Sequence, residues 1–253
     1  MAEEIEIKVK SIKKTIDVLN CFVEKQPLGV TEISEKLGLY KSNVYNILST
    51  LTAMDYLSKD DTTGKYYLGI GIVRLNRAIG NRYSFHNIAV IHMKALAQEE
   101  EEIVYLTVPL QDQAYYLDAA FPTDSAPFLA NSIRNPTASM NCTGSGKAML
   151  AYMPEDAVEE YLQKPLMSQT IHTITDADAL RQELARIRFR GYATDYMESS
   201  VGISCVAVPI LSKGKIVLGA LSISGPSPRF TPERIAQLAE KLKIHVAEIQ
   251  NNM

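Results

Sequence analysis

One stretch constrains this chain more than any other: Thr31 to Leu68, TEISEKLGLYKSNVYNILSTLTAMDYLSKDDTTGKYYL, reads as a helix-turn-helix followed by a β-wing. Upstream, Ile12, Ile16, Leu19 and Val23 recur at helical spacing, and Pro27 and Gly29 end that helix. Thr31 offers a hydroxyl N-cap to a short second helix, with Glu32 and Glu35 near its positive end and Ile33 and Leu37 as core contacts. Gly38 supplies the turn. The third helix starts near Ser42 and buries Val44, Ile47, Leu48 and Leu51, which leaves Asn43, Tyr45, Asn46 and Ser49 for the opposite face. Leu57–Lys59 and Tyr66–Leu68 form two strands joined by the turn-rich DDTTG segment. A helix whose polar face is not needed by its own core suits insertion into a DNA major groove. The candidate DNA contacts are Thr31, Tyr40, Lys41, Ser42, Asn43, Tyr45 and Asn46, with Lys65 of the wing as a phosphate contact.

Charge tempers that reading. The formal net charge is -3, the lysines before the wing are matched by a similar set of acids, and no arginine precedes Arg74. The basic footprint of a nucleic-acid binder must come from lysines on one face, so modest affinity per protomer and reliance on dimerisation are expected. The three cysteines are far apart and form no CxxC pair, which argues against a disulfide framework or zinc ribbon. A reducing cytoplasm suits them. No apolar run approaches the ~18 residues of a membrane span.

The 253 residues divide into a winged helix-turn-helix (1–70), a linker helix (71–82) carrying Ile72, Leu75 and Ile79, and an α+β domain (83–253). Helices are expected at Phe85–Glu101, Gly146–Tyr152, Glu155–Gln163 and Ala177–Arg190, and strands at Ile103–Leu110, Ala114–Phe121, Tyr192–Met197, Ile203–Leu211 and Lys215–Ser224. Pro122–Pro136 is read as irregular. Thr231 caps a final helix with Pro232 in its first turn and an apolar seam of Ile235, Leu238, Leu242, Val246 and Ile249.

A second candidate site lies in this domain. Thr143-Gly144-Ser145-Gly146 opens a helix whose free N–H groups attract anions. Ser222 and Ser224 are two apart on one strand and share a face. Asp195 and Cys205 belong to neighbouring strands. The set suits a small carboxylate that also bears a hydroxyl for Asp195: a keto-, hydroxy- or sugar acid. Tyr105, Tyr115, Phe121 and Phe128 leave an aromatic acid open.

Other chemistries lack their signatures. NCTGSGKA (Asn141–Ala148) fails as a P-loop, because Asn141 replaces the first glycine and Ala148 the magnesium-binding hydroxyl. Lys147 is therefore read as a surface or interface lysine and Glu198 as structural. Cys205 has no histidine at diagnostic spacing and reads as a small buried thiol. Cys142, Cys205 and His172 have no metal-site spacing. No catalytic residue, metal or cofactor is expected.

Four motifs in order, KSNVYNILSTL with GKYYLG, TGSGKAMLAYMP, RGYATDYMESSVGISCVAVPI and GALSISGP, resemble those of IclR-family transcriptional regulators, nearly end to end. The resemblance implies a winged helix, a linker helix and a GAF-like effector domain, assembled as dimers or tetramers on palindromic operators. It places effector contacts on Gly144, Ser145, Asp195, Cys205, Ser222 and Ser224. Two departures stand out. Ser42-Asn43 and Asn46 replace the family's usual Ser-Thr pair and following arginine, and Ser145 stands where alanine is frequent. The rival readings are an enzyme that turns over the bound acid and an adaptor with a degenerate winged helix.

Overall fold

The structure, a computed structural model, describes residues 7–79, 85–122 and 136–253. They fall into two compact units divided between residues 82 and 83.

The first unit contains α1 (Lys10–Glu24), α2 (Val30–Leu37), α3 (Lys41–Ala53), the antiparallel hairpin β1 (Leu57–Lys59) and β2 (Tyr66–Leu68), and α4 (Ile70–Ile79). Its core gathers Val18 and Phe22 of α1, Ile33 of α2, Val44, Leu48 and Leu51 of α3, and Leu57 and Tyr66 of the wing. This corrects the expected face of α1: Ile12, Ile16 and Val23 are 60%, 48% and 77% exposed, and the opposite side of the helix meets the core. The helix carries apolar residues on both sides, and so small a core covers only one. The capping also differs. Thr31 lies inside α2 and is exposed; the N-cap is Gly29, whose N–H donates to Glu32 Oε2 at 2.9 Å. Ser42 likewise sits within α3, behind an N-cap at Tyr40 that has no side-chain cap bond. Gly38 ends α2 with φ 64°, a left-handed conformation that glycine adopts without steric cost.

The second unit is a six-stranded antiparallel sheet of order β5-β4-β3-β8-β7-β6, formed by β3 (Ile103–Leu110), β4 (Gln113–Ala120), β5 (Thr137–Ser139), β6 (Ala193–Tyr196), β7 (Ile203–Leu211) and β8 (Val217–Pro226). Period-two alternation sends Val104, Leu106, Val206, Val208, Leu221 and Ile223 to one face, where α5 (Phe85–Glu100) and α9 (Pro232–Asn251) cover them. The seam Leu238, Leu242, Val246 and Ile249 is buried there, each side chain contributing roughly 1.5–3 kcal/mol. Thr231 caps α9 by accepting the Arg234 N–H at 3.3 Å.

The other face carries Ala193, Ala207 and Ala220, packed with α6 (Gly144–Leu150), α7 (Glu155–Leu162) and α8 (Ala177–Arg190). Small side chains on the strands let α6 lie close to the sheet. The α+β architecture is the expected one, with β5 added directly after the segment read as irregular, where no element was expected. Among the described residues no helix is long and apolar enough to cross a membrane.

Candidate functional site

In the first unit, the buried Val44, Leu48 and Leu51 anchor α3 along one side. At 100° per residue, Ser42, Tyr45, Asn46 and Ser49 then line the other. Lys41, Ser42, Asn43, Tyr45 and Asn46 are all exposed, as is Tyr40 at the helix start (82%). Asn43 and Asn46 carry amides able to donate and accept at once, the chemistry that reads an adenine edge. The wing is rigidified by Asp60, whose Oδ1 accepts the Thr62 and Thr63 N–H groups at 2.8 and 3.3 Å. Lys65 is less free than its sequence position suggests. Its Nζ lies 3.1 Å from Glu32 Oε2, while Lys25 reaches Oε1 of the same carboxylate at 3.2 Å. The Gly29 N–H, Lys65 and Lys25, in that order, lower the Glu32 pKa to about 2. Lys65 therefore ties the wing to α2, and Thr31 sits on the exposed side of that helix.

In the second unit, the pairing of strands assembles the other candidate site. Asp195 of β6 pairs with Cys205 of β7, which pairs with Ser224 of β8; one step along, Ala207 pairs with Ser222, which pairs with Tyr105 of β3. Opposite residues on antiparallel strands share a face, so Asp195, Cys205, Ser222 and Ser224 all point to the α6 side. Gly144 begins α6 directly above them: a Cβ there would stand 2.6 Å from the Cys205 Sγ, so only glycine fits. Ser145 Oγ donates to Ser222 Oγ at 3.0 Å, wholly buried, and Ser224 Oγ reaches the Ser204 carbonyl at 3.4 Å. All six expected positions come together.

The helix start is less open to anions than expected. The Gly146 N–H is bonded to Thr143 Oγ1 at 2.9 Å, and the Gly144 N–H is directed at the Cys205 sulfur. Of these first donors only that of Ser145 has no such partner among the described residues. The charge that the sequence reading placed elsewhere is Lys147. It is 1% exposed, not a surface lysine, and forms a buried ion pair with Glu198. The run Ala148-Met149-Leu150, buried throughout, was the available signal, because a lysine in so buried a helix needs a partner. Asp195 is satisfied by Ser199 Oγ and the Glu198 N–H, both 2.6 Å away, and by the Ser199 N–H at 3.4 Å. Burial pushes the Asp195 and Glu198 pKa values up against the pull of Lys147 and these hydrogen bonds. Glu198 Oε2 and Thr107 Oγ1 are buried with no hydrogen-bond partner among the described residues.

The aromatic set needs correction. Tyr115 packs with the α5/α9 core, whereas Tyr116, paired with Thr107 on the far side of a bulge at Leu106/Thr107, stands with Tyr105; their rings meet edge-on at 5.2 Å. Phe128 lies outside the described residues. Burial raises the Cys205 thiol pKa and takes Cys142 up to about 11, so neither is a thiolate at neutral pH. Cys142, Cys205 and His172 form no cluster of metal-ligating atoms among the described residues.

Comparison with known proteins identifies the family. The family described as "Bacterial transcriptional regulator IclR C-terminal" matches residues 80–251, and "IclR helix-turn-helix domain" matches residues 11–61. The HTH-type transcriptional regulator KdgR of Escherichia coli (strain K12) is 28% identical over 249 residues, covering 97% of this chain and 93% of KdgR. The crystal structure of the Thermotoga maritima IclR superposes with a TM-score of 0.77 at 29% identity, covering 96% of this chain and 98% of that one. An IclR homolog from Microbacterium hydrocarbonoxydans, solved with 4-hydroxybenzoate, has the same fold at 24% identity and a TM-score of 0.77, with 96% and 98% covered.

Proposed function

We propose, on the premise that this chain belongs to the IclR family of bacterial transcriptional regulators, that it binds a palindromic operator through α3 and responds to a small organic acid held above β6, β7 and β8. It is a ligand-responsive DNA-binding regulator and not an enzyme. The observation that carries the DNA half is the single exposed face of α3, where Tyr40, Lys41, Ser42, Asn43, Tyr45 and Asn46 take no part in the core. Thr31 is a flanking contact, and Lys65 contacts a phosphate only by sharing its charge with Glu32. In a homodimer, or in each dimer of a homotetramer, two such helices stand about 34 Å apart, one turn of DNA.

For the effector, Ser145, Ser222 and Ser224 offer hydroxyl groups to a carboxylate. Asp195 accepts from a hydroxyl of the same molecule. This favours keto-, hydroxy- or sugar acids. The Tyr105–Tyr116 pair on the same face favours, as a second reading, an aromatic acid. The effector must bind one arrangement of the protein more tightly than another, or operator affinity cannot change. Residues 71–82 join the two units in sequence and are the proposed route of that coupling, in a protein acting on cytoplasmic DNA.

The test is fluorescence anisotropy of the full chain on the DNA upstream of its own gene, with competitor and a salt series. Competitor-resistant binding that Asn46→Ala weakens by roughly 1–3 kcal/mol supports base reading by α3. Equal affinity for competitor DNA and for every footprint-selected sequence refutes it. Calorimetry with pyruvate, glycolate, gluconate and 4-hydroxybenzoate then assigns the acid class. A saturable signal lost in Ser222→Ala/Ser224→Ala places the acid on these strands, and an unaffected signal removes it from them.

A further inference from the structure

On the opposite face of the sheet from the effector residues, α5 and α9 lie side by side over the core. Their solvent-side rim brings together three ligating side chains that the regulator's reading leaves unused. His92 comes from α5; His245 and Glu248, three apart and so on one side of their helix, come from α9. The two imidazole Nδ1 atoms are 2.9 Å apart, and His92 Nδ1 is 3.5 Å from Glu248 Oε2. One donor atom from each residue lies within 4.8 Å of the others. The rings meet edge-on, 78° between planes with centroids 5.1 Å apart, so they are not stacked.

We propose that His92, His245 and Glu248 form a binding site for a divalent transition-metal ion of the zinc class, which clamps α5 to α9. In a tetrahedral site with zinc–nitrogen and zinc–oxygen distances of about 2.0–2.2 Å, donor atoms stand roughly 3.3–3.5 Å apart. The His92–Glu248 separation meets that value. The two histidines need to open by only a few tenths of an ångström. Two imidazoles and one carboxylate select zinc, nickel or cobalt over magnesium and calcium, which require oxygen ligands. The charges facing the site favour a cation. Glu99 lies across from His245, and Lys241, one turn earlier on α9, is neutralised by ion pairs to Glu99 and Glu100. Glu248 is 56% exposed and His92 only 16%, so the site is anchored within the rim and open to solvent at the carboxylate, where water completes the coordination. The competing account of the same geometry is a histidine–histidine hydrogen bond, and the two differ in what they take up.

The experiment uses the full chain stripped of metal with a chelator and then titrated with zinc chloride, with magnesium chloride in parallel. Zinc is counted by equilibrium dialysis and stability is followed calorimetrically. One equivalent of zinc with a rise in the unfolding temperature, absent with magnesium, is expected. Glu248→Gln, at an exposed position that does not endanger folding, is expected to weaken zinc binding at least about tenfold, the lower bound for losing even an outer partner of a metal site. His92→Ala/His245→Ala is expected to abolish it. Cobalt-loaded protein should show weak d–d bands without thiolate charge transfer. Zinc uptake unchanged in the double variant, thiolate bands from Cys142 or Cys205, or binding only at millimolar zinc each overturns the site and leaves the hydrogen bond as its explanation.

Discussion

Replacing Lys147 by methionine removes one charge and almost no volume. The lysine side chain is 1% exposed and that of Glu198 9%, so neither ion has water to fall back on. Glu198 Oε2 already lacks a hydrogen-bond partner among the described residues, and without the ammonium the carboxylate is left buried with no counter-ion. Breaking a buried pair from one side costs about 3–5 kcal/mol, a large part of the ~5–15 kcal/mol that holds a domain together. For a unit of this size that lowers its unfolding temperature by roughly 6–20 °C. The penalty is pH-dependent. Burial already raises the Glu198 pKa above 4.5 and Lys147 pulls it back. In Lys147→Met the restraint is gone and the folded pKa rises further. The folded state then binds a proton that the unfolded state releases. Stability therefore falls as pH climbs from about 4.5 through the folded pKa and recovers on acidification, opposite to a carboxylate whose pKa is depressed. Calorimetry of the full chain, with the second unit's transition followed between pH 5 and 8, measures both effects. Lys147→Met/Glu198→Leu should regain most of the loss, because it removes both charges. A single variant within about 0.5 kcal/mol of the parent, or a double variant no better than the single, refutes the buried-pair reasoning.

Two other substitutions probe the sites. Gly144→Ala drives a methyl group into the Cys205 sulfur and should cost about 1–3 kcal/mol by overpacking; Cys205→Ala in the same chain should relieve it, as thermal unfolding will report. Glu32, with its pKa lowered to about 2, contributes stability that is complete above the unfolded value near 4.5 and is lost as pH falls toward 2. Glu32→Gln should abolish that acid dependence of the first unit and free Lys65, which salt-dependent DNA binding detects as a steeper slope; an unchanged acid transition would mean that the link between wing and α2 carries no stability.

Local pattern was enough for much of this protein. Helical spacing in α3 and α9, the Thr231–Pro232 start, the Gly38 turn and the strand segments Ile103–Leu110 and Ile203–Leu211 are short-range signals, and the structure follows them. The six residues of the second candidate site were also legible, since Gly144 and the Ser222/Ser224 pair report on backbone approach and shared faces within a few positions. The misplacements arose where two local solutions compete or where the deciding partner is distant. Gly29 with Glu32 displaced Thr31 as the cap, since a backbone N–H and a carboxylate close the helix two residues earlier. A face of α1 that looked like core is exposed, because the domain's core is too small to use both sides.

Sequence alone therefore determined the order and type of elements, the winged helix with its polar exposed face, and the strand and helix-start positions around Asp195 and Ser145. Tertiary structure alone decided that Lys147 is a buried ion paired with a residue 51 positions away, that Tyr116 rather than Tyr115 joins Tyr105, and that His92 meets His245 across 153 positions. Periodicity carries information over one or two turns of helix or a few strand positions. Which charge is desolvated, and which imidazole faces which, depends on how separate elements pack on the two faces of one sheet.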